Sequence, residues 1–506
     1  MSSIDEIRKV RLQKLKSLQD SGLLAYPAKT KRTHSVLEAL KNFSKISKSG
    51  KEIILAGRIM AIRGHGGATF LDIQDGSDYW GLTNRNKKDW GVGDPTTFKV
   101  QGLIKEDKLG PKGYKFFIDH FDIGDFVEIR GILIKTKRGE QTIEVSDYKM
   151  LAKSLLPLPE KWHGLQDVEE KLRKRYLDIL FNPEIKEMVR KRAVFWNSMR
   201  EFLMEKGFLE VETPVLEVTT GGADAKPFIT HHNALDMDLY LRISMGELWQ
   251  KRLMVAGFEK TFEIGRQFRN EGMDAEHLQD YTQMEFYWAY ADYELGMKLV
   301  EELYKYIIKK TFGNLKFKIK NFNIDFNKKW EKYDYRTIIN KYAKIDIFEA
   351  SLPEMERQMQ NLKIEYDKKG FNRTRAIDNL LKYCRKNIEG PGFLINLPID
   401  VSPLSKRDEK NPKIAQRFQV IIAGSEVGNG YSELNDPIDQ EERFKEQEKL
   451  RKAGDQEAQM FDHEFVEALE YGMPPVCGFG ISERLFSFLM DKPARETQIF
   501  PLMKPK

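Results

Sequence analysis

The stretch from Phe262 to Tyr293 constrains the chain more than any other, because its hydrophobic period changes twice. Phe262-Glu263-Ile264-Gly265 and Met284-Glu285-Phe286-Tyr287-Trp288 are strand patterns. The polar loop between them, Arg269 to Gln279, is too long for a tight hairpin turn. The first strand runs out into Arg269 and Glu271, and His277, Tyr281 and Glu285 sit across the loop. An arginine on a rigid strand suits a phosphate oxygen, since its planar fork binds bidentately and stays charged. Glu271, two residues on, can accept from an exocyclic amine, and Tyr281 can stack on a base. The expectation is a nucleotide site on an antiparallel hairpin. A charged hairpin facing water is the alternative, and the number of convergent groups argues against it.

Other stretches carry chemistry downstream. Phe418–Gly424 reads as an apolar strand running into Glu426, Gly428-Asn429-Gly430 and Glu433, where a Gly-x-Gly bend lets the two acids serve different ends of one ligand. Gln419 lies on that strand. In Gly478-Phe479-Gly480-Ile481-Ser482-Glu483-Arg484, glycines relieve crowding where a strand passes under a ligand, and Arg484 falls near a helix start, facing a phosphate. Gly221-Gly222 allows close backbone approach to a ligand.

Residues 51–152 are β-rich, with predicted strands at Ile53–Ile59, Ala68–Ile73, Phe116–Ile118, Phe126–Ile134 and Gln141–Val145. Five short strands in such a span suit a small OB-fold barrel, a single-strand binder. There Phe70 can stack a base and Arg63 can meet a phosphate; residues 83–115 read as an inserted surface loop. Residues 1–50 carry eleven Lys and Arg against four Asp and Glu, so the net charge of +6 resides there. Ile4 to Leu18 has amphipathic helical spacing, and a polyanion-binding arm and a solubilising helix are both open readings. Residues 153–183 form a linker containing Leu156-Pro157-Leu158-Pro159. A long helix follows at 184–206, then a strand at 208–213, and helices near 355–363 and 378–387 look like a packing embellishment at about 350–390. No apolar run approaches the ~18–20 residues of a membrane span. Two cysteines are too few for a disulfide framework or a cysteine zinc site and fit a reducing cytoplasm.

Together these motifs resemble the class II lysyl-tRNA synthetases nearly end to end. The helix 184–206 with its strand is similar to motif 1, the dimer element; Phe268-Arg269-Asn270-Glu271 to motif 2; and Gly478–Arg484 to motif 3. Those three mark the class, which aspartyl and asparaginyl enzymes share. The lysine-type signatures are Gly-Gly-Ala-Asp-Ala-Lys-Pro-Phe at 221–228, Thr-His-His-Asn-Ala-Leu at 230–235, Gly-Asn-Gly-Tyr-Ser-Glu-Leu-Asn-Asp at 428–436 and the linker 157–167. The resemblance implies an α+β chain. An N-terminal OB-fold β-barrel for the anticodon (51–152) precedes a class II catalytic domain (184–506), a six-stranded antiparallel sheet flanked by helices, in a cytoplasmic homodimer. It implies lysine, ATP and tRNA(Lys) as partners, with Mg2+, no membrane, and lysyl-adenylate as the intermediate. Arg269 would hold the lysine carboxylate and the α-phosphate. Glu271 would read adenine, Tyr281 would stack on it, His277 would lie near the β- and γ-phosphates, and Arg484 would cover the other face of adenine and the γ-phosphate. Gly222 and Glu247 would hold the α-amine, Asn429 would help with the carboxylate, and Glu433, Tyr287 and Glu285 would take the ε-ammonium. Glu426 would bind ATP through the metal, and Arg63, Phe70 and Glu140 would read the anticodon.

The chain departs from the family pattern in four places. Gln419 stands where a second metal-binding glutamate is usual. Arg242–Glu247 is one residue longer, motif 3 is one residue shorter, and Tyr79-Trp80-Gly81 replaces a glutamine that reads anticodon uridines. Two other readings stay open: an aspartyl or asparaginyl enzyme, and a paralog that lysylates a protein or only binds RNA.

Overall fold

A computed structural model describes residues 3–77, 98–159, 167–272, 274–368, 371–455 and 457–505. Expectations on Tyr79-Trp80-Gly81, on the first part of the insert and on most of the linker signature 157–167 fall outside these. The chain divides into two compact units, residues 1–187 and 188–506.

The first unit is built on a closed barrel of β1 (Ile53–His65), β2 (Ala68–Gln74), β3 (Lys99–Lys105), β4 (Phe126–Lys135) and β5 (Gln141–Ala152), in the order β1-β2-β3-β5-β4. Only β3 and β5 run parallel, so this is the OB-fold arrangement. Alternating residues such as Leu55, Leu71, Ile73, Ile129 and Ile143 fill its interior. Two expectations need correction. The third strand is residues 99–105, not Phe116–Ile118, and residues 99–115 are not a loop. Phe116 and its neighbours belong to a helix, Glu106–His120, kinked at Gly110-Pro111. Its Phe117 is fully buried and stacks on Phe121 at 4.5 Å, so the apolar run serves a helix face against the barrel. The N-terminal helix α1 (Ile4–Asp20) is docked rather than free. Arg11 is buried and donates to the carbonyls of Ile123, Ser154 and Leu156, and Lys14 pairs with Asp122 at 2.7 Å. Arg8, Lys9 and Lys16 remain exposed.

The second unit is organised by an eight-stranded sheet: β6 (Leu209–Glu210), β7 (Lys260–Phe268), β8 (Asp280–Ala289), β9 (Glu331–Asp334), β10 (Gly392–Ile395), β11 (Arg417–Ile422), β12 (Ser425–Ser432) and β13 (Val476–Ser482). The spatial order is β9-β10-β11-β12-β13-β8-β7-β6. The six inner strands are antiparallel, and β9 and β6 add one parallel strand at each edge, which extends the expected six-stranded sheet to eight. One face buries Met284, Phe286, Phe418 and Phe479 beneath the helix Tyr293–Phe312. Phe418 and Phe479 stack at 5.9 Å, and Tyr304 Oη donates to the carbonyl of Val427 at 2.7 Å. Fully burying each such side chain contributes about 1.5–3 kcal/mol, which makes the sheet a rigid platform. The other face is open and polar.

Candidate active site

Period-two alternation puts Tyr281, Gln283, Glu285 and Tyr287 of β8 on the open face. The pairing register sets them beside β13 in rows: Tyr287 opposite Gly478, Glu285 opposite Gly480, Gln283 opposite Ser482. On the far side of β13, Tyr431 lies opposite Gly478 and Asn429 opposite Gly480. A glycine floor therefore runs between two walls of functional side chains. A Cβ on Gly478 would meet Glu433 Oε1 at 2.1 Å and Tyr287 Cε1 at 2.8 Å. These residues line a cavity of about 280 Å3, together with Gly222, Glu247, Arg269, Arg417, Glu426 and Arg484.

The Gly-x-Gly stretch is strand, not the expected bend. Its acids reach one face for a different reason. Residues seven apart on a regular strand face opposite ways, but β11 and β12 slip register at Val427, so Ile421 pairs with Glu426 while Val420 pairs with Gly428. That bulge lets Glu426 and Glu433 line the same cavity.

One end of the cavity is an acid cluster. Glu247, Glu285 and Glu433 are 4 %, 5 % and 1 % exposed. Glu285 accepts from the Met245 amide (3.0 Å), Gln283 Nε2 (2.6 Å) and Tyr287 Oη (3.0 Å). Burial, reinforced by repulsion from Glu247, pushes its carboxyl up to about 7 despite those donors. Burial likewise raises Glu433, against the attraction of Lys251. Glu247 opens the helix Glu247–Val255 after Gly246, whose φ of +67° turns the longer loop 242–247; a Cβ there would meet Thr213 Oγ1 at 2.0 Å. Glu247 also accepts from Tyr431 Oη. Its α-amine partner in the expectation, Gly222, has φ +86° and packs against Ser244 and Glu247, where a Cβ would meet Ser244 Oγ at 2.6 Å.

Lys251 escaped the sequence reading. It is fully buried, with Nζ 2.7 Å from Glu247 Oε1 and 2.5 Å from Glu433 Oε2. Burial opposes its charge, but the two carboxylates outweigh that and raise its pKa, so it stays an ammonium. The available signal was its i,i+4 spacing from Glu247 on one helix face. Three carboxyl groups surround this one ammonium, so the cluster holds more acids than bases. Glu433 Oε2 faces the Lys251 ammonium, and its Oε1 has no partner among the described residues.

The other end is cationic. Arg269 lies just past β7, its amide donating to Gln279 and its guanidinium 5.9 Å from the Tyr281 ring. Burial lowers its pKa, yet Tyr281, Glu271, Glu285 and Asp224 together hold it above the usual value. Arg484 Nη1 donates to the Glu426 carbonyl at 3.0 Å. The Nε of each arginine is buried without a partner among the described residues. Arg269, Glu271, His277, Tyr281 and Arg484 line one adjoining cleft, so these expected nucleotide residues are brought together there, while Glu426 lines the main cavity. His277 is fixed by Asp274, 2.8 Å from its Nδ1. Asn429 Oδ1 accepts from Arg417 Nε at 2.8 Å. Glu483, beside Arg484, pairs with Arg192 of the helix Pro183–Glu205 and accepts from the Thr282 amide, which ties the motif 1 helix to the site. The expected metal ligand Glu426 instead accepts from Gln419 Nε2 (2.9 Å) and Arg385 Nη1 (3.4 Å).

The family described as tRNA synthetases class II (D, K and N) matches residues 167–504. The chain belongs to this family. Nearly the whole length of this class II synthetase also aligns with curated proteins. It is 41% identical to a lysine–tRNA ligase of Thermosipho africanus over 508 residues, covering 99% of this chain and 97% of that protein. It is 40% identical to one from Thermotoga maritima, covering 99% and 97%, and 42% identical to one from Moorella thermoacetica, covering 99% and 98%.

On the barrel of the synthetase, Arg63 and Phe70 are directly opposite on β1 and β2. Arg63 is held bidentately by Asp72 at 2.6 and 3.2 Å, Phe70 is half-buried, and Glu140 is exposed in the turn before β5. Among the described residues, no helix is long and apolar enough to cross a membrane.

Proposed function

We propose that this chain is an ATP-dependent lysine–tRNA ligase, acting on tRNA(Lys) in the cytoplasm as a homodimer. The observation that carries the reading is Glu433, a buried carboxylate whose Oε1 has no partner among the described residues, beside Glu247 and Glu285. A buried ammonium is costly unless paired, and this cluster has the excess negative charge and the open acceptor that an ε-ammonium needs. Lys251 does not turn it into an aspartate pocket, because two carboxylates already enclose its ammonium. Exposed Met204 and Leu209, at the end of the motif 1 helix and on the edge strand, support a subunit contact.

In the first step a lysine carboxylate oxygen bonds to the ATP α-phosphorus, and the bond to the bridging oxygen breaks to release pyrophosphate. Arg269 aligns the two reactants, and Arg484 meets the charge that grows on the phosphates. In the second step a ribose hydroxyl at the tRNA 3′ end attacks the lysyl carbonyl, transferring its proton as AMP leaves. The substrates supply the nucleophiles, so no side chain is acylated. Magnesium enters as part of the ATP substrate. The residues around Glu426 fit a protein-held ion poorly, since an amide N–H and a guanidinium both meet its Oε2.

Pyrophosphate exchange is expected to depend on lysine, and a lysine tRNA transcript is expected to be charged. Exchange driven by aspartate instead would overturn the reading. Lysine-dependent exchange without tRNA charging would favour the protein-modifying paralog.

A further inference from the structure

The helices between β9 and β11 reach the ATP half of the site. Helix Arg373–Arg385 ends beside the turn joining β11 to β12. The Ala423 amide donates to the Glu389 carbonyl at 2.7 Å and the Gly424 amide to Ile388 at 2.9 Å. Gly424, at φ +75°, packs so closely on Lys386 that a Cβ would meet its carbonyl oxygen at 2.9 Å. The backbone thus fixes Arg385 against Glu426, with Nη1 3.4 Å from Oε2. The same oxygen accepts a hydrogen bond from Gln419 Nε2 at 2.9 Å. Gln419 is 5 % exposed, and its Oε1 has no partner among the described residues. Nearby, Lys320 Nζ lies 2.8 Å from Glu276 and 3.2 Å from Ser425 Oγ.

A divalent magnesium site takes hard oxygen ligands, with one or two carboxylates joining substrate phosphates. Here one carboxylate oxygen already faces an amide N–H and a guanidinium, whose positive charge repels a second cation. On the reading of the chain as an ATP-dependent ligase, we infer that Arg385, anchored on Glu426 beside Gln419, supplies the positive charge that a protein-held divalent ion would otherwise bring to the pyrophosphate end of ATP. Arg385 is a positioning residue. Its charge acts through the Glu426 wall of the cavity, and the divalent ion is the one that ATP carries.

Manganese titration of the protein saturated with ATP, without lysine and read by electron paramagnetic resonance, counts the ions directly. One ion per site is expected in the native chain, and two in Arg385→Met/Gln419→Glu. Two or more ions in the native chain, or no gain in a double variant that still performs lysine-dependent exchange, would overturn the inference. Arg385→Met alone should raise the KM for ATP about tenfold and leave the KM for lysine within twofold, with Arg385→Lys restoring most of the loss. Equal change in both constants would also overturn it. Absence of lysine-dependent exchange in the native chain would instead reject the ligase reading, while the ion count would still stand.

Discussion

Replacing Glu433 by Gln tests the lysine end of the cavity most directly. The substitution keeps the shape of the side chain and removes one of the three acids around the Lys251 ammonium. Lys251 retains Glu247 at 2.7 Å, so no buried cation is orphaned and the free protein keeps its fold. Lysine loses the Oε1 acceptor, which has no partner among the described residues. Truncating one side of a buried charge pair costs about 2–5 kcal/mol. The isosteric amide and the surviving Glu285 and Tyr287 place this case near the lower end, at about 2–3 kcal/mol, or roughly 30- to 150-fold in lysine affinity. ATP should hardly notice. Glu426, expected at the nucleotide, lies seven residues earlier, roughly 20 Å along a bulged strand. Pyrophosphate exchange with each substrate varied in turn reads both constants. A lysine KM within threefold of the native value, or an equal rise for ATP, would refute the assignment of Glu433 as the ε-ammonium partner.

Arg269→Ala removes the guanidinium expected between carboxylate and α-phosphate and should lower lysine-dependent exchange by at least about a thousandfold; near-normal exchange would exclude the role. A carboxyl raised to about 7 in the folded protein, against 4.5 ordinarily, binds its proton more tightly folded than unfolded. The stability it contributes is therefore full below pH 4.5 and is lost as pH rises toward 7. Glu217, buried under Trp249 and also raised to about 7, adds to the same fall. The Tm of the ligand-free protein should drop between pH 5 and 7, and lysine, by pairing with Glu285, should raise Tm more at pH 8 than at pH 5.5. A lysine-induced shift independent of pH would refute this. Phe70→Ala should weaken tRNA charging through the KM for tRNA, roughly tenfold for one lost base stack, and leave exchange unchanged; loss of exchange would mean a structural role instead.

The hairpin was legible because strand alternation places functional groups at every second residue, and Tyr281, Gln283, Glu285 and Tyr287 kept that period. The third barrel strand was not, because Phe116-Phe117-Ile118 is as apolar as a strand, and only its packing on the barrel reveals a helix. Lys251 and Arg385 were missed for a shared reason. A lysine inside a helix and an arginine in a last turn normally face water, and nothing local in the sequence says that an acid from another element closes over them. The bulge at Val427 was equally hidden, since register is a property of two strands and not of one.

The glycine floor has a consequence for how this cavity can change. Gly478 and Gly480 leave β13 only as bare main chain on the cavity floor; on Gly478 even a methyl would strike Glu433 and Tyr287, and on Gly480 it would press on Gln283 and Glu285 at 3.2 Å. Substitutions there destroy the receptor before they can reshape it. Any lineage, or any designer, seeking to admit a different amino acid must therefore work from the walls, on residues such as Glu247, Glu285 and Tyr431, and exchange charges in matched sets. Single steps along that route leave an unbalanced buried charge, so the enzyme's choice of substrate is guarded by the poverty of its neighbours in sequence space.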